Sequence, residues 1–483
     1  MTEDRSYLQL FLALLAALIL FRLVVLAVAP FPITPDEAQY WLFAQDPAWG
    51  YYSKPPLLAW LIALSTSMIG DGPFGIRVFI PLLHAATAGL IFLSAQSLFS
   101  PRVGFWSGLL YATLPGVSFS SGLASTDPAM MTGWALAFYA LVRLREHQHT
   151  MWAVLFGVGL GLSLLGKYTG IALLASALLY GLTSAEGRRM LTPGVIFPAF
   201  IAVAVLLLPH LAWNWENGFV TLTHLADNAN LGGSLFHPDK LAAFFGAQFG
   251  VFGPLLFAAL MVIVLTWRAQ ARGNDPMHLI LCFAAPLLAV ILMQALLSRA
   301  HANWAAPAYI TASMAVAAWA LASGRDWILT TSLTLYLTVA LALLAGTFAF
   351  EAGRLPNWVD PAKKFRNGSE LGVKLNAMLS PEDILLAADR KLMALSLYHG
   401  RVPLARSAFW NPDGAPDNHF ELKHALTEDI KGPFLYVERA GGLPGLTNHF
   451  EQVSQVGQVK VGPGHPVKLY RLEGFRGYGE GQK

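Results

Sequence analysis

The sequence predicts an α-helical polytopic membrane protein with a small α/β domain at its C-terminus, and three observations carry that expectation. Of 483 residues, 55% are hydrophobic and 13% are charged, about half the charge of an ordinary globular chain. The charge is uneven, since residues 1–350 hold 15 Lys+Arg and 14 Asp+Glu whereas residues 351–483 hold 17 and 15. Apolar runs of about 20 residues, enough to cross a bilayer, recur through the first part only. A net charge of +3 leaves no nucleic-acid footprint. The 43 Gly and 29 Pro follow no period, which excludes collagen-like and low-complexity chains, and no repeat of solenoid length is visible. Cys282 is the single cysteine, so no intramolecular disulfide can form.

The expected organisation is a membrane domain, 1–350, carrying an outer loop at 30–73, followed by a soluble domain, 351–483. Eleven spans are expected, near 8–29, 74–98, 104–122, 128–142, 151–166, 168–183, 194–213, 241–267, 278–297, 304–322 and 327–350. The range is 9–13, because the short pair around Lys167 also reads as one bent hairpin. The first segment ends in Ala27-Val28-Ala29, which resembles a signal-peptide cleavage site. Its apolar run is longer than the roughly 7–15 residues of a signal peptide, contains Arg22 and is followed by Pro30. An uncleaved anchor is expected.

Orientation follows from the bias of Lys and Arg toward cytoplasmic loops. With the N-terminus inside, nine basic residues fall inside (Arg5, Arg102, Arg143, Arg145, Arg188, Arg189, Arg268, Arg272 and Arg325). Five fall outside (Lys54, Arg77, Lys167, Lys240 and Arg299), and Arg22 stays in the membrane. An odd number of spans then puts the C-terminal domain in the periplasm. Cations that sit against the bias are candidates for binding an anion.

The loop after the first span runs Pro32-Ile33-Thr34-Pro35-Asp36-Glu37-Ala38-Gln39-Tyr40-Trp41 and continues to Tyr51-Tyr52-Ser53-Lys54-Pro55-Pro56. Trp41, Trp49, Tyr51, Tyr52 and Trp60 read as an interfacial aromatic belt, and the amphipathic run after Pro55 as an interfacial helix. On spacing alone, Asp36 is a helix cap after which acidic residues are favoured. Thr126 or Asp127 before Pro128 is likewise a helix start. Against these structural readings, Asp36, Glu37, Asp127, Lys54, Arg77, Lys167 and Arg299 share one expected membrane face, where ionisable groups are costly unless they serve a site.

Asp36-Glu37 after the first span, Tyr51-Tyr52-Ser53-Lys54-Pro55-Pro56, Asp127 in the second outer loop and Asn303-Trp304-Ala305-Ala306-Pro307-Ala308-Tyr309 resemble a branch of the GT-C glycosyltransferases. That branch contains the protein O-mannosyltransferases and the bacterial transferases that place aminoarabinose or galacturonic acid on lipid A and lipopolysaccharide core. The resemblance covers residues 1 to about 320 and implies a GT-C fold, a polyprenyl-phosphate sugar donor and inversion at the anomeric carbon. It implies that Asp36 and Asp127 are the catalytic acids, Asp36 as base toward the acceptor hydroxyl. It also implies that Lys54 contacts the donor phosphate, where fixed cations stabilise developing charge. Glu37 and Tyr52, together with the basic residues Arg77, Lys167 and Arg299 and the adjoining His301, complete the expected substrate-binding set. No cofactor is expected. The aminoarabinose transferases have an acidic residue before the lysine that helps hold a divalent metal, and Ser53 stands there, so the resemblance leaves a divalent metal possible but doubtful and no metal ligand is assigned. His224, His237 and His301 lack close ligand spacing.

The loop from Trp213 to Lys240 is expected to be without secondary structure, either a cover over the site or a passive connector. In the C-terminal domain, 383–388, 433–438, 452–461 and 467–471 read as short strands and 391–398 as helix. Gly441 to Gly445 reads as a turn cluster, because no phosphate-loop lysine or strand-turn-helix context accompanies it. The expected activity is transfer of a sugar to lipopolysaccharide, lipid A or another envelope glycan at the periplasmic face of a bacterial inner membrane. The expected partners are the donor, a glycolipid or glycan acceptor and the bilayer, with no nucleic acid. The rivals are transfer to protein Ser/Thr and, of a different class, a transporter or lipid-linked sugar flippase. The latter commonly shows inverted repeats, which this sequence lacks.

Overall fold

The computed structural model describes residues 2–28, 31–229, 235–351, 368–439, 446–462 and 465–478. In chain order its first helices are α1 (Thr2–Val28), α2 (Pro35–Gln45), α3 (Leu57–Ile69), α4 (Pro73–Arg77), α5 (Phe79–Leu98), α6 (Pro101–Thr113), α7 (Pro115–Ser120), α8 (Thr126–His147) and α9 (Thr150–Gly166). There follow α10 (Ile171–Thr183), α11 (Ala185–Arg188), α12 (Pro193–Glu216), α13 (Val220–Ala229), α14 (Pro238–Val251), α15 (Pro254–Leu265), α16 (Trp267–Ala271), α17 (Asp275–Leu297), α18 (Ala308–Ala322) and α19 (Asp326–Glu351). The last stretch contains α20 (Gly368–Met378), β1 (Ile384–Ala387), α21 (Arg390–Gly400), β2 (Ser407–Phe409), α22 (His419–His424), β3 (Phe434–Glu438), α23 (Leu446–His449), β4 (Phe450–Val459) and β5 (Val467–Phe475). Proline opens α2, α6, α12 and α15, where its fixed φ suits the first turn and its missing N–H costs nothing.

Among the described residues, five helical stretches are long and apolar enough to cross a membrane: Arg5–Val28, Pro73–Leu98, Pro193–Glu216, Asp275–Leu297 and Asp326–Ala349. Leu57–Ile69, Thr150–Gly166, Tyr168–Thr183 and Ala308–Ala322 are shorter apolar helices. The chain is a multi-pass membrane protein. The span expected over 241–267 is not one helix. It breaks into α14 and α15, bent by 117°, because Gly253 takes φ +90 and Pro254 cannot continue the preceding helix. A side chain at 253 would also collide with Tyr336, whose hydroxyl donates to Phe252 O at 2.7 Å. The connection expected to lack structure between Trp213 and Lys240 is helical over α13; residues 230–234 lie outside the described residues.

The chain packs as two compact units, one of Met1–Ala29, Pro55–Leu58 and Arg77–Thr347, the other of Pro30–Lys54, Ala59–Ile76 and Phe348–Lys483. In the first, helix contacts are closest between α8 and α9. A Cβ on Gly133 would come within 2.4 Å of Ser163 N, one on Gly159 within 2.5 Å of Ala137 N, and one on Gly166 within 2.6 Å of Met130 N. Small residues at these crossings let the two backbones touch, a common solution where no hydrophobic force drives helices together. Arg22, inside α1, donates to Ala112 O at 2.6 Å and to Ser118. It satisfies a carbonyl beside the α6/α7 break at Pro115, which accounts for an arginine at that depth.

The second unit joins Pro30–Lys54 and Ala59–Ile76 to the C-terminal α/β domain. Its sheet has the order β2-β1-β3-β5-β4. β1 runs parallel to both β2 and β3 (Leu385↔Ser407, Leu385↔Leu435), while β5 is antiparallel to β3 and β4. β2 and the helices α20 and α22 are additions to what the sequence pattern indicates; β2 is only three residues long. Asp383, before β1, is fully buried and paired bidentately with Arg471 at 2.7 and 3.1 Å. Gly441 to Gly445 lies outside the described residues.

The aromatic residues of the loop after α1 do not form an open belt. Trp41, Tyr51 and Tyr52 are buried. Trp41 packs edge-on against Tyr398 at 5.2 Å and donates through Nε1 to Asp71 Oδ1 at 2.7 Å. Asp71 O in turn accepts from Tyr398 Oη and Arg401 Nη2, each at 3.2 Å. Tyr51 stacks on Phe43 at 4.1 Å, and His419 meets both rings edge-on. Their large apolar surface covers the α/β domain, where it gains more by burial than at a wet interface. Trp49 remains half exposed and rests against Trp60.

Candidate active site

The acidic loop begins with a helix cap. Thr34, not Asp36, is the N-cap of α2. Glu37 N donates to Thr34 Oγ1 at 3.3 Å, while Glu37 Oε2 accepts from Thr34 N at 3.0 Å and from its hydroxyl at 3.1 Å. This reciprocal capping box satisfies donors that the helix start leaves open. It buries Glu37 to 1% exposure, so Glu37 orients the loop. Asp36, one residue earlier, has a side chain 66% exposed. Its Oδ1 accepts from both Nη1 and Nη2 of Arg390, each at 3.2 Å, and Arg390 Nη1 also donates to Gln39 Oε1.

Tyr51 and Lys54 close a tight turn through paired backbone hydrogen bonds of 3.2 and 3.4 Å, which presents Ser53 and the half-buried Lys54. Tyr52 is buried, and its backbone N–H donates to His419 Nδ1 at 3.4 Å. That bond needs a neutral imidazole, and burial, with help from His424 and Lys423, pushes His419 down to about 3. Burial also raises the Tyr51 phenol to about 12.

The other unit holds a second acid. Asp127 lies at the start of α8, whose N-cap is Ser125 rather than Thr126 or Asp127. Lys167 Nζ donates to Asp127 Oδ1 at 2.6 Å, and Asn303 Nδ2 donates to Oδ2. Lys167 caps the end of α9 in an extended conformation, so the close α8/α9 crossing brings the cation to the acid. Asn303 sits in the short turn Ala302–Ala305, within the Asn-Trp-Ala-Ala-Pro motif. Of the remaining expected residues, Arg77 is fully buried, and Arg299 and His301 are exposed, His301 resting edge-on against Trp304.

The expected site residues therefore form two constellations. Asp36, Glu37, Tyr52 and Lys54 belong to the loop unit; Asp127, Lys167, Arg77, Arg299 and His301 belong to the helical unit. Sequence reading did not single out Arg390, Gln39 or the side chain of Asn303 as site residues. A signal for Arg390 exists, since it opens the helix after a buried strand of an α/β module, where such folds place ligand contacts. The residues present do not fit a divalent metal in the acidic loop. Ser53 offers no charge, Glu37 is committed to the helix start and Asp36 already faces a guanidinium. Among the described residues, no group of three or more His, Cys, Asp or Glu side chains is gathered as a metal site would require.

A family model described as dolichyl-phosphate-mannose-protein mannosyltransferase matches residues 53–213. The chain is 31% identical over 421 residues, 86% of its length and 88% of the relative's, to the lipid A galacturonosyltransferase RgtD of Rhizobium johnstonii. It is 30% identical over 220 residues, 41% of this chain and 39% of the other, to an undecaprenyl phosphate-aminoarabinose arabinosyl transferase of Pseudomonas fluorescens. The crystal structure of ArnT from Cupriavidus metallidurans bound to undecaprenyl phosphate has the same fold, with a TM-score of 0.66 and 14% identity over 96% of this chain and 98% of that one. Fold and relatives together define a membrane-embedded glycosyltransferase of the GT-C class. Within that class, the chain belongs to the polyprenyl-phosphate-sugar-dependent family that includes RgtD and the aminoarabinose transferases.

Proposed function

We propose that this enzyme transfers a galacturonosyl group from a polyprenyl-phosphate carrier to lipid A or lipopolysaccharide core, with inversion, on the periplasmic face of a bacterial inner membrane. The observation that carries the reading is the 31% identity to RgtD over 86% of the chain and 88% of the relative. The matches to aminoarabinose transferases of Pseudomonas fluorescens reach 41% of the chain at most. The excess of basic residues on the opposite side of the expected topology supports a periplasmic loop and C-terminal domain.

In this reading the acceptor hydroxyl attacks the anomeric carbon and gives its proton to Asp36. The bond from that carbon to the phosphate oxygen breaks, and polyprenyl phosphate leaves with the electron pair. Asp36 suits the base because its carboxylate is exposed, within reach of a weak nucleophile that needs its proton removed. Lys54 is assigned to the leaving phosphate, with Arg77, Lys167 and Arg299 as further cations on the anionic donor. Asp127, held by Lys167 and Asn303, orients the acceptor or the sugar. Glu37 orders the loop, and Tyr52 and His301 border the substrates. A lipid-linked donor also fits the compartment, because nucleotide sugars are made in the cytoplasm.

The test is mass spectrometry of lipid A, core oligosaccharide and envelope glycoproteins from cells lacking the gene, complemented with wild type, or complemented with Asp36→Asn. A hexuronate-sized mass lost on deletion and recovered by wild type but not by Asp36→Asn is the expected result. Loss of a hexose from protein would move the acceptor to Ser/Thr. Accumulation of lipid-linked sugar with no change in any glycan would replace transfer by lipid transport. Full recovery by Asp36→Asn would remove Asp36 as the base.

A further inference from the structure

We propose that Arg390, at the start of α21 in the soluble domain, is a positioning residue for Asp36, so that the soluble domain is part of the catalytic apparatus. The inference rests on the reading of Asp36 as base and adds to it what holds that base in register. Both terminal nitrogens of Arg390 approach the same oxygen, Oδ1, at 3.2 Å. Among the described residues, no hydrogen bond reaches Oδ2. The carboxylate is therefore fixed at one oxygen and open at the other, in a side chain 66% exposed.

The fork is itself braced. Arg390 Nη1 also donates to Gln39 Oε1, and Gln39 lies three residues after Asp36 on α2, on the same helix face. Gln39 is buried at 4% exposure. A planar guanidinium can satisfy an amide oxygen and a carboxylate oxygen together, whereas an ammonium is a single point of charge on a flexible stem. At the other end, the backbone of Arg390 is set by Asp389, the N-cap of α21, which accepts from Leu392 N at 2.7 Å.

Helix stability does not account for this arginine. A cation in a first turn opposes the helix dipole, which favours acids there and bases at the last turn. Nor does docking of the loop require it. Trp41, Asp71, Tyr398 and Arg401 form one anchor, and Phe43, Tyr51 and His419 form another, neither involving Arg390. Its position has a precedent in the logic of the fold. Arg390 follows the carboxyl end of β1, the middle strand of the parallel part of the sheet, and α/β sheets place their ligand contacts at such ends. Here that place is taken by Asp36.

A positioning residue and a structural staple differ in what their loss changes. The experiment compares purified full-length enzyme with Arg390→Gln, Arg390→Lys and Asp36→Asn, using undecaprenyl-phosphate galacturonose and lipid A, and follows proteolysis of the loop at residues 30–76. Arg390→Gln is expected to lower kcat by about 10- to 100-fold, as a misplaced reactive group does. Donor KM should stay within about twofold of wild type, because binding common to ground and transition states is untouched. Arg390→Lys should recover part of the rate, and loop cleavage should match wild type in both. Wild-type kcat in Arg390→Gln beside an inactive Asp36→Asn would overturn the positioning role while leaving the base in place. A rate loss accompanied by faster cleavage of the loop would make Arg390 a staple and would also overturn it. Wild-type turnover by Asp36→Asn would instead remove the base on which the inference rests.

Discussion

Asp36 and Glu37 are adjacent acids with opposite environments, and the difference comes from helix register. The Thr34-to-Glu37 spacing closes a capping box, which fixes Glu37 on the buried side of α2 and turns Asp36 outward. Asp127 is constrained in another way, with Lys167 on one oxygen and Asn303 on the other in a side chain only 10% exposed. Replacing Lys167 by Met would leave that carboxylate with an amide alone. The expected cost is about 1–3 kcal/mol of stability, the penalty for stranding a mostly buried polar group, together with at least a tenfold fall in turnover if Asp127 orients a substrate. Thermal melts and initial rates of Lys167→Met and Lys167→Arg check this; equal melting and equal rates in Met and wild type would show the ion pair to be idle. Much of this scale was legible in the sequence. Asp36, Lys54 and Asp127 were singled out by motif, whereas the Thr-x-x-Glu box was not read from the spacing, which pointed to Asp36 as the cap. Arg390 was not, because it lies 354 residues from Asp36 and no local pattern links them.

At the scale of elements, two devices set the geometry around these residues. One is the α8/α9 crossing, where Gly159 lets the backbones touch near Ala137. Gly159→Val should force the helices apart, costing about 1–3 kcal/mol by overpacking. It should lower activity more than expression, because Asp127 and Lys167 sit at the ends of those same helices. A variant with wild-type melting and turnover would mean that the crossing yields elsewhere. The other device is a pair of histidines, His419 beneath the loop and His399 against α20. Burial pushes His399 down to about 4 and His419 to about 3, against an ordinary value near 6.5. Both are lowered in the fold, so the unfolded chain binds more protons between those values. The stability they contribute is full above about pH 6.5 and is lost as pH falls toward 4, by up to about 1.4 kcal/mol per pH unit for each histidine. Melting of the solubilised enzyme should therefore fall between pH 7 and 5, with a flatter profile in His419→Asn, whose amide oxygen can accept the Tyr52 N–H without titrating. An unchanged slope in that variant would remove His419 as a cause. The break at Gly253 belongs to this scale too: hydropathy reads 241–267 as continuous, since a window average weighs apolarity and not the sign of φ.

At the scale of the whole molecule, composition and packing report different boundaries. Charge density rises near residue 350 and marks where the sequence reading begins a soluble domain, because lipid-facing and water-facing segments differ in polarity. It carries no information that 30–54 and 59–76 pack with those residues, since Trp41, Phe43 and Tyr51 look the same in a sequence whether they face lipid headgroups or a sheet. The fold class was legible for the same reason that this grouping was not: hydropathy reports solvent, and packing partners are set by shape. The grouping has a consequence that can be measured. The loop holding Asp36 and Lys54 contacts the α/β domain through Asp36 to Arg390, Trp41 to Tyr398, and Phe43 and Tyr51 to His419. A chain ending after α19 would lose all of these and expose the aromatic surface they cover. The helical unit keeps its own core around Trp134, Phe138 and Phe283, so the truncated chain should still insert in the membrane and retain its helical content. Its residues 30–76 should become sensitive to protease, as segments with few buried contacts do, and transfer should fall to background. Supplying the missing domain in trans should restore protection of the loop before any activity, because the loop must be held before its acid can work. A truncated enzyme with a protected loop and wild-type turnover would show that the helical unit alone orders the acidic loop, and that the soluble domain serves the acceptor or nothing in the reaction at all.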